Sequence, residues 1–295
     1  MLELNTYQRP PSEADSFIIR VAHGCPHNKC TFCNIFKTVA YRPIPLEEVL
    51  AGIDLDVEDL GELLPAVKSV YLEGGDPLIL PAKDLLRIMR HASEKFPALG
   101  RFTCYATARS VIRKTKRELK SLAEAGLRRV FVGLESGLDL ILEQTHKGCT
   151  SADILLAGNN LNDAGIENDV SMMLGIGGEK YSERHALATA SLLSKLSPAC
   201  VRIRTFVPKS DTPLGQDFLT GEFILQTPYS ILNELRLMVE NISGPTLLLS
   251  EHWTDYLKFK AKMPEHKQFL LAAVDNALKM PLDAFRKPDL SDRRF

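Results

Sequence analysis

The sequence has no excess of charge of either sign. Its 36 Lys and Arg stand against 37 Asp and Glu, a formal net charge of −1, so no global field draws it to nucleic acid or to an acidic membrane surface. Long apolar runs are missing as well. No stretch reaches the roughly 18 residues a spanning helix needs, and the opening MLELNTYQRPPSEADSF carries neither a basic n-region nor an apolar h-region. The expectation is a cytoplasmic protein with neither a membrane nor a nucleic-acid partner. Internal repeats and low-complexity tracts are absent, which excludes solenoids and linker proteins. Six cysteines in 295 residues are too few for a disulfide-dense secreted scaffold. Tryptophan occurs once.

What is present describes a folded chain. A hydrophobic fraction of 45% with 25% charged residues is ordinary for a soluble domain, and the length sits near the upper end of what one core supports. Short β-branched runs near Phe17–Ala22, Lys68–Leu72, Arg101–Ala106, Arg128–Gly133, Asn168–Leu174 and Val201–Val207 read as strands. Between and after them, segments of helical period fall near Leu46–Leu55, Lys83–Glu94, Lys116–Ala125, Ser151–Ala164, Glu183–Leu196 and Ile231–Glu240. Thr115 and Glu118 form a capping box and Gly126 a left-handed stop around the third of these. Successive βα units with right-handed crossovers predict an α/β fold, a partial or near-complete parallel (β/α) barrel whose chemistry gathers at the carboxyl ends of the strands. The expected organisation is an N-terminal extension at 1–16, a (β/α)6 core at 17–217 and a small α/β cap at 218–295 on the substrate side.

Directly after the first predicted strand stand Cys25, Cys30 and Cys33 in a C-x4-C-x2-C loop. Three thiols so close call for a metal. A Cys3His zinc site with His23 or His27 is one solution, although structural zinc usually draws ligand pairs from two separate spacings. A plant-type [2Fe–2S] site needs a fourth cysteine, and the next, Cys104, lies inside a predicted strand. The third solution is a [4Fe–4S] cluster with one iron left open. Cys104, Cys149 and Cys200 are scattered singly and read as structural thiols. No P-loop, H-E-x-x-H or G-x-S-x-G occurs, and Lys180 stands where a dinucleotide fingerprint starting at Gly175 needs its third glycine.

Later strand ends carry further small motifs: Gly74-Gly75-Asp76 after the second, Gly133-Leu134-Glu135-Ser136-Gly137 after the fourth, and Met173-Leu174-Gly175-Ile176-Gly177-Gly178 after the fifth. With the cysteine loop they make the chain, over roughly residues 17–215, resemble the radical S-adenosylmethionine (SAM) enzymes. In motif style it is similar to the branch of coproporphyrinogen dehydrogenases and methylthiotransferases. The resemblance implies that Cys25, Cys30 and Cys33 hold a [4Fe–4S] cluster whose open iron chelates SAM, and that Phe32 packs near the adenine. It implies that Gly74, Gly75 and Asp76, with Asp in place of the superfamily's Glu, receive the methionyl ammonium. Thr107, Glu135, Ser136 and Ile176 complete the implied SAM contacts. The commoner spacing is C-x3-C-x2-C, so the loop has one extra residue.

The implied activity is reductive cleavage of SAM to a 5′-deoxyadenosyl radical that acts on a small, anionic substrate, in an oxygen-sensitive enzyme reduced by flavodoxin or ferredoxin. The alternative is cleavage of the other C–S bond with 3-amino-3-carboxypropyl transfer; a non-enzymatic zinc or iron–sulfur protein is the remote one. For substrate, the alternating Arg202 and Arg204, Arg109 after the third strand, and His146 and Lys147 form a candidate cationic pocket. The run Ser250–Tyr256, with His252 and Tyr256, is a candidate lining from the C-terminal side.

Overall fold

The computed structural model describes residues 9–286, so parts of the expected 1–16 extension and 218–295 cap lie outside the described residues. Eight strands form one mostly parallel sheet in the order β1-β4-β5-β6-β7-β8-β9-β10, with helices alternating between strands. The order does not close on itself, as in a partial barrel. The chain divides into two compact units.

Among the described residues, the first unit comprises 9–28, 36–132 and 159–168. It holds β1 (Phe17–Arg20), β2 (Ala22–His23), β3 (Arg42–Pro43), β4 (Ser69–Glu73), β5 (Arg101–Ala106) and the start of β6 (Leu127–Glu135). Strands β1, β4, β5 and β6 are parallel neighbours, and β2 pairs antiparallel with β3. Helices α1 (Leu46–Leu60), α2 (Ala82–Lys95), α3 (Ala108–Arg113) and α4 (Lys116–Glu124) belong here. In α2 the buried positions Leu85, Ile88, Met89 and Ala92 fall on one stripe at helical spacing, so the helix lays that face on the sheet. The capping box at α4 forms as expected: Thr115 accepts from the Glu118 N–H and the Glu118 carboxylate accepts from the Thr115 N–H. Consecutive residues are buried in β4 (Val70, Tyr71, Leu72) and in β5 (Phe102, Thr103, Cys104), the mark of strands covered on both faces.

Among the described residues, the second unit comprises 29–35, 133–158 and 169–286. It contains most of β7 (Glu167–Leu174), with β8 (Cys200–Thr205), β9 (Thr246–Ser250) and β10 (Phe259–Met263). Strands β7, β8 and β9 run parallel and β10 returns antiparallel. Helices α5 (Asp139–Gln144), part of α6 (Ser151–Ala164), α7 (Gly178–Leu196), α8 (Pro213–Thr220), α9 (Pro228–Asn241) and α10 (Lys267–Ala277) complete it.

Differences from expectation have local causes. The run Phe17–Ala22 is two strands: the Val21 N–H still bonds Glu73 O at 2.9 Å in line with the β1–β4 pairing, while the Val21 carbonyl accepts from the Ile44 N–H at 3.0 Å and the chain passes into β2, which pairs with β3. Helices α3, α5 and α8 were not expected; six to eight residues are too few to establish a 3.6-residue period.

Candidate active site

The cysteine loop leaves β2 through Gly24, whose φ of +67° belongs to the left-handed region, and a second left-handed residue follows at Asn28. In the first unit this turn is closed by backbone. Gly75 donates its N–H to Gly24 O at 3.0 Å, and a Cβ on Gly75 would lie 2.5 Å from Cys25 Cα. Glycine at position 75 is therefore what lets the β4 end approach Cys25. Gly74, at φ +152°, lies against Ala22. The Asn28 N–H points at Cys25 Sγ at 3.5 Å, a donor suited to a thiolate, and the Asn28 side-chain amide donates to Phe36 O.

In the second unit Thr31 donates its N–H to Thr145 O and accepts from the Leu214 N–H, both at 3.0 Å, so the Cys30–Cys33 segment is held from two sides. Phe32 packs on the cluster of Ile141, Ile176, Phe206 and Leu214, which joins two of the residues predicted to contact adenine. None of the six cysteines forms a disulfide. Among the described residues no three His, Cys, Asp or Glu side chains stand as a formed metal cage. The donor chemistry nevertheless fits an iron–sulfur cluster: three half-exposed thiols, a backbone N–H at one sulfur, and the Lys147 ammonium acting on Cys30.

Asp76 is 1% exposed. Its two oxygens accept from Ser110 Oγ and Thr107 Oγ1, each at 2.7 Å, while Thr107 also caps α3 by accepting from the Ser110 N–H. Burial pushes this carboxyl above its ordinary range, and the hydroxyl donors, a backbone N–H and the Lys114 charge oppose the rise. Asp76 thus ties the β4 and β5 ends together, a role shared by Ser110, which no motif along the chain singles out.

Glu135 adopts φ +59° at the end of β6 and pairs with Lys147 at 2.8 Å, with both side chains largely buried. Burial lowers the tendency of Lys147 to stay charged, but the Glu135 carboxylate outweighs it and holds the ammonium above the usual lysine range. Lys147 is thereby a partner of Glu135, and its ammonium lies 5.9 Å from the Phe32 ring centroid. Ser136 is wholly buried: its Oγ accepts from the Leu138 N–H and lies 2.8 Å from His185 Nδ1. His185 Nε2 faces Met173 O at 3.1 Å, so the ring is neutral with its proton on Nε2 and Ser136 donating to Nδ1. Burial agrees, pushing the imidazole pKa down against the pull of Glu234. Glu234 in turn accepts from the Gly175 N–H at 2.7 Å and from Ser182 and Gln226. This buried network fixes both the Glu135–Gly137 turn and the Gly175–Gly177 loop. It could not be read from sequence, since its members are far apart along the chain.

The substrate candidates separate. Arg109 is exposed on α3 and His146 is exposed at φ +51°. Arg202 pairs with Asp169 at 3.3 Å, which commits it to the fold. Tyr256 packs edge-on against Phe285, which also meets Tyr229. Arg204 and His252 remain together in the second unit. The Asp255 carboxylate accepts from the Thr205 N–H at 2.8 Å and the His252 N–H at 2.9 Å, fastening the loop that holds His252 to the strand end that carries Arg204.

Comparison with known proteins decides the family. Residues 19–190 match the Radical SAM superfamily. The chain is a radical SAM protein. It is 23% identical to the heme chaperone HemW of Bacillus subtilis over 172 residues, 56% of this chain and 44% of that one. It is 26% identical over 213 residues, 70% of this chain and 65% of that one, to the uncharacterized protein MJ0486 of Methanocaldococcus jannaschii. The chain therefore spans less than two thirds of either curated relative. Coproporphyrinogen III oxidase (HemN) from Escherichia coli, described as a radical SAM enzyme, shares the fold with a TM-score of 0.58 at 14% identity, over 77% of this chain and 52% of that one. The likeness to HemW and HemN agrees with the branch suggested by the motif style. A radical SAM enzyme takes a [4Fe–4S] cluster and SAM as cofactors. No helix among the described residues is long and apolar enough to cross a membrane.

Proposed function

We propose that this radical SAM protein binds its cluster through Cys25, Cys30 and Cys33 and cleaves SAM to form a 5′-deoxyadenosyl radical that removes hydrogen from a small anionic substrate. When bound, the reduced cluster supplies the electron that breaks the C–S bond, while the protein binds, orients and excludes water. The observation that carries this reading is the close seat of Gly75 on Cys25, which sets a superfamily-type strand-end glycine against the first thiol. Gly74 and Gly75 would present backbone carbonyls to the methionyl ammonium. Asp76 and Thr107 would keep that segment in register. Phe32 and Ile176 would give the adenine an apolar wall, and Glu135 and Ser136 would shape the turn facing the ribose. We assign residues 17–217 to the catalytic core and 218–295 to the substrate side, with a cytoplasmic flavodoxin or ferredoxin as electron source.

Anaerobic reconstitution tests the reading. It should give about four iron and four sulfide per chain, and Ala at Cys25, Cys30 or Cys33 should abolish loading. With dithionite and SAM, chromatography should find 5′-deoxyadenosine as the nucleoside product. Methylthioadenosine as the main product would indicate aminocarboxypropyl transfer instead, and one tightly bound zinc without sulfide would end the cluster assignment.

A further inference from the structure

The loop joining β9 to β10, residues 251–258, lies in the second unit at the carboxyl end of β9, beside the parallel strand β8. Ser250 pairs with Phe259 and the Ser250 hydroxyl donates to Leu257 O, so both legs of the loop are pinned. Asp255 fastens its tip to Thr205 and thereby sets His252 next to Arg204. Around this point cations accumulate. Arg286 stacks its guanidinium 3.8 Å from the Trp253 ring centroid, the Lys209 ammonium lies 5.6 Å from the same centroid, and the His252 ring is 5.4 Å away. The charges of Arg204, Lys209, Arg286 and Lys258 all act on His252 and, after burial, hold its imidazole neutral, down to about 4.

Two features distinguish this cluster from a solvated basic surface. The Asp255 carboxylate beside it is engaged by two backbone N–H groups, and neither Arg204 nor Lys258 has an ion-pair partner among the described residues. The second feature is a donor. His252 Nδ1 accepts from the Thr254 N–H at 3.4 Å and meets the Thr254 hydroxyl at 2.8 Å, which puts the ring proton on Nε2. That Nε2 is buried and has no hydrogen-bond partner among the described residues. Like charges gathered round an unused N–H donor complement one kind of ligand.

We propose that Arg204, Lys209, His252, Lys258 and Arg286, ordered around Trp253, form a binding site for a phosphate-type oxyanion. The site recognises a phosphate group of the substrate, and in that sense it rests on the enzymatic reading above. Arg204 and Arg286 offer planar forks for two oxygens, His252 Nε2–H a third donor, and the lysines point charges.

Trp253 is the only tryptophan, so intrinsic fluorescence reports on the site directly. The anaerobic holoenzyme is titrated with inorganic phosphate, and with acetate at matched ionic strength. Phosphate should give a saturable change and acetate should not. Arg204→Gln and Lys258→Gln should each weaken phosphate about tenfold, the scale of one charge-assisted hydrogen bond, with circular dichroism confirming the fold. Lys260→Gln, on exposed β10, should leave the affinity as it is. Indistinguishable responses to phosphate and acetate, or unchanged affinity in both variants, would overturn the site. SAM cleavage measured on the same preparation separates the two claims. Phosphate binding without cleavage supports this site while striking the enzymatic reading; cleavage without phosphate binding does the reverse.

Discussion

Two strand-end regions of this molecule handle buried charge in opposite ways. At the ends of β4 and β5, Asp76 is sealed from water and both its oxygens are taken by hydroxyls whose own backbone is fixed by the α3 cap. In the loop after β9, cations and a neutral histidine crowd together while the adjacent carboxylate turns to the backbone. The first region is self-satisfied and its groups serve geometry. The second holds a buried His252 Nε2–H with no partner among the described residues, the donor on which the proposed site is built. A buried polar group that has its partners holds a structure together, and one that lacks them points to a ligand.

The largest expected effect breaks the first region. Gly75→Ala places a Cβ 2.5 Å from Cys25 Cα, so backbone must shift, at about 1–3 kcal/mol of overpacking strain. Cluster loading should fall with stability. Gly52→Ala inside α1 is the control, because nothing lies within 4 Å of its added Cβ. It should be neutral or stabilising by up to ~1 kcal/mol. Retained iron content and melting temperature in Gly75→Ala would show that the β4 end does not hold the cysteine loop.

Next comes Asp76→Ala, which strands two buried hydroxyls and should cost roughly 1–3 kcal/mol in chemical denaturation. If SAM affinity of the folded variant also falls, Asp76 contributes to the ligand as well as to the framework; unaltered SAM affinity would confine it to the latter. Arg202 and Arg204 then sharpen the comparison within a single strand. Removing Arg202 withdraws a partner of the buried Asp169 and should destabilise by roughly 1–3 kcal/mol. Arg204→Gln relieves repulsion among cations and should be neutral or slightly stabilising. Equal losses in the two variants would erase the distinction between structural and recognition arginines.

The smallest effect is a pH dependence. Burial raises the Asp255 carboxyl to about 6, so its favourable contribution is complete below the unfolded value near 4 and is lost as pH rises through 6. His252 runs the other way. Its folded value is depressed to about 4, so its contribution is present above about 6.5 and is lost as pH falls through 4. The two slopes oppose each other across the same window, and the wild type should show little dependence from this loop between pH 4 and 6.5. His252→Gln leaves Asp255 unbalanced, so the variant should gain stability relative to wild type on acidification, visible in denaturation curves at pH 6.5 and 4.5. Parallel curves would mean that the two groups do not titrate as assigned.

Much of this was legible along the chain because the signals are local. A strand is a run of β-branched residues, a capping box spans four positions, and three cysteines within nine residues identify themselves. Glycines at strand ends are visible too, although only the 2.5 Å approach to Cys25 explains why position 75 tolerates nothing larger. Short helices such as α5 escaped because six residues cannot display a period. Sequence alone thus determined the order of the six core strands and the longer helices between them, the cysteine loop and the resemblance to a family of radical enzymes. Only the tertiary structure decided which members of each set of like residues are spent and which are available. Arg202 and Arg204 sit on the same face of one strand and are chemically identical, yet Asp169 claims the first and no carboxylate among the described residues claims the second. The partner that makes that difference comes from a neighbouring strand, and no spacing along the chain encodes which side chains folding brings within hydrogen-bond reach.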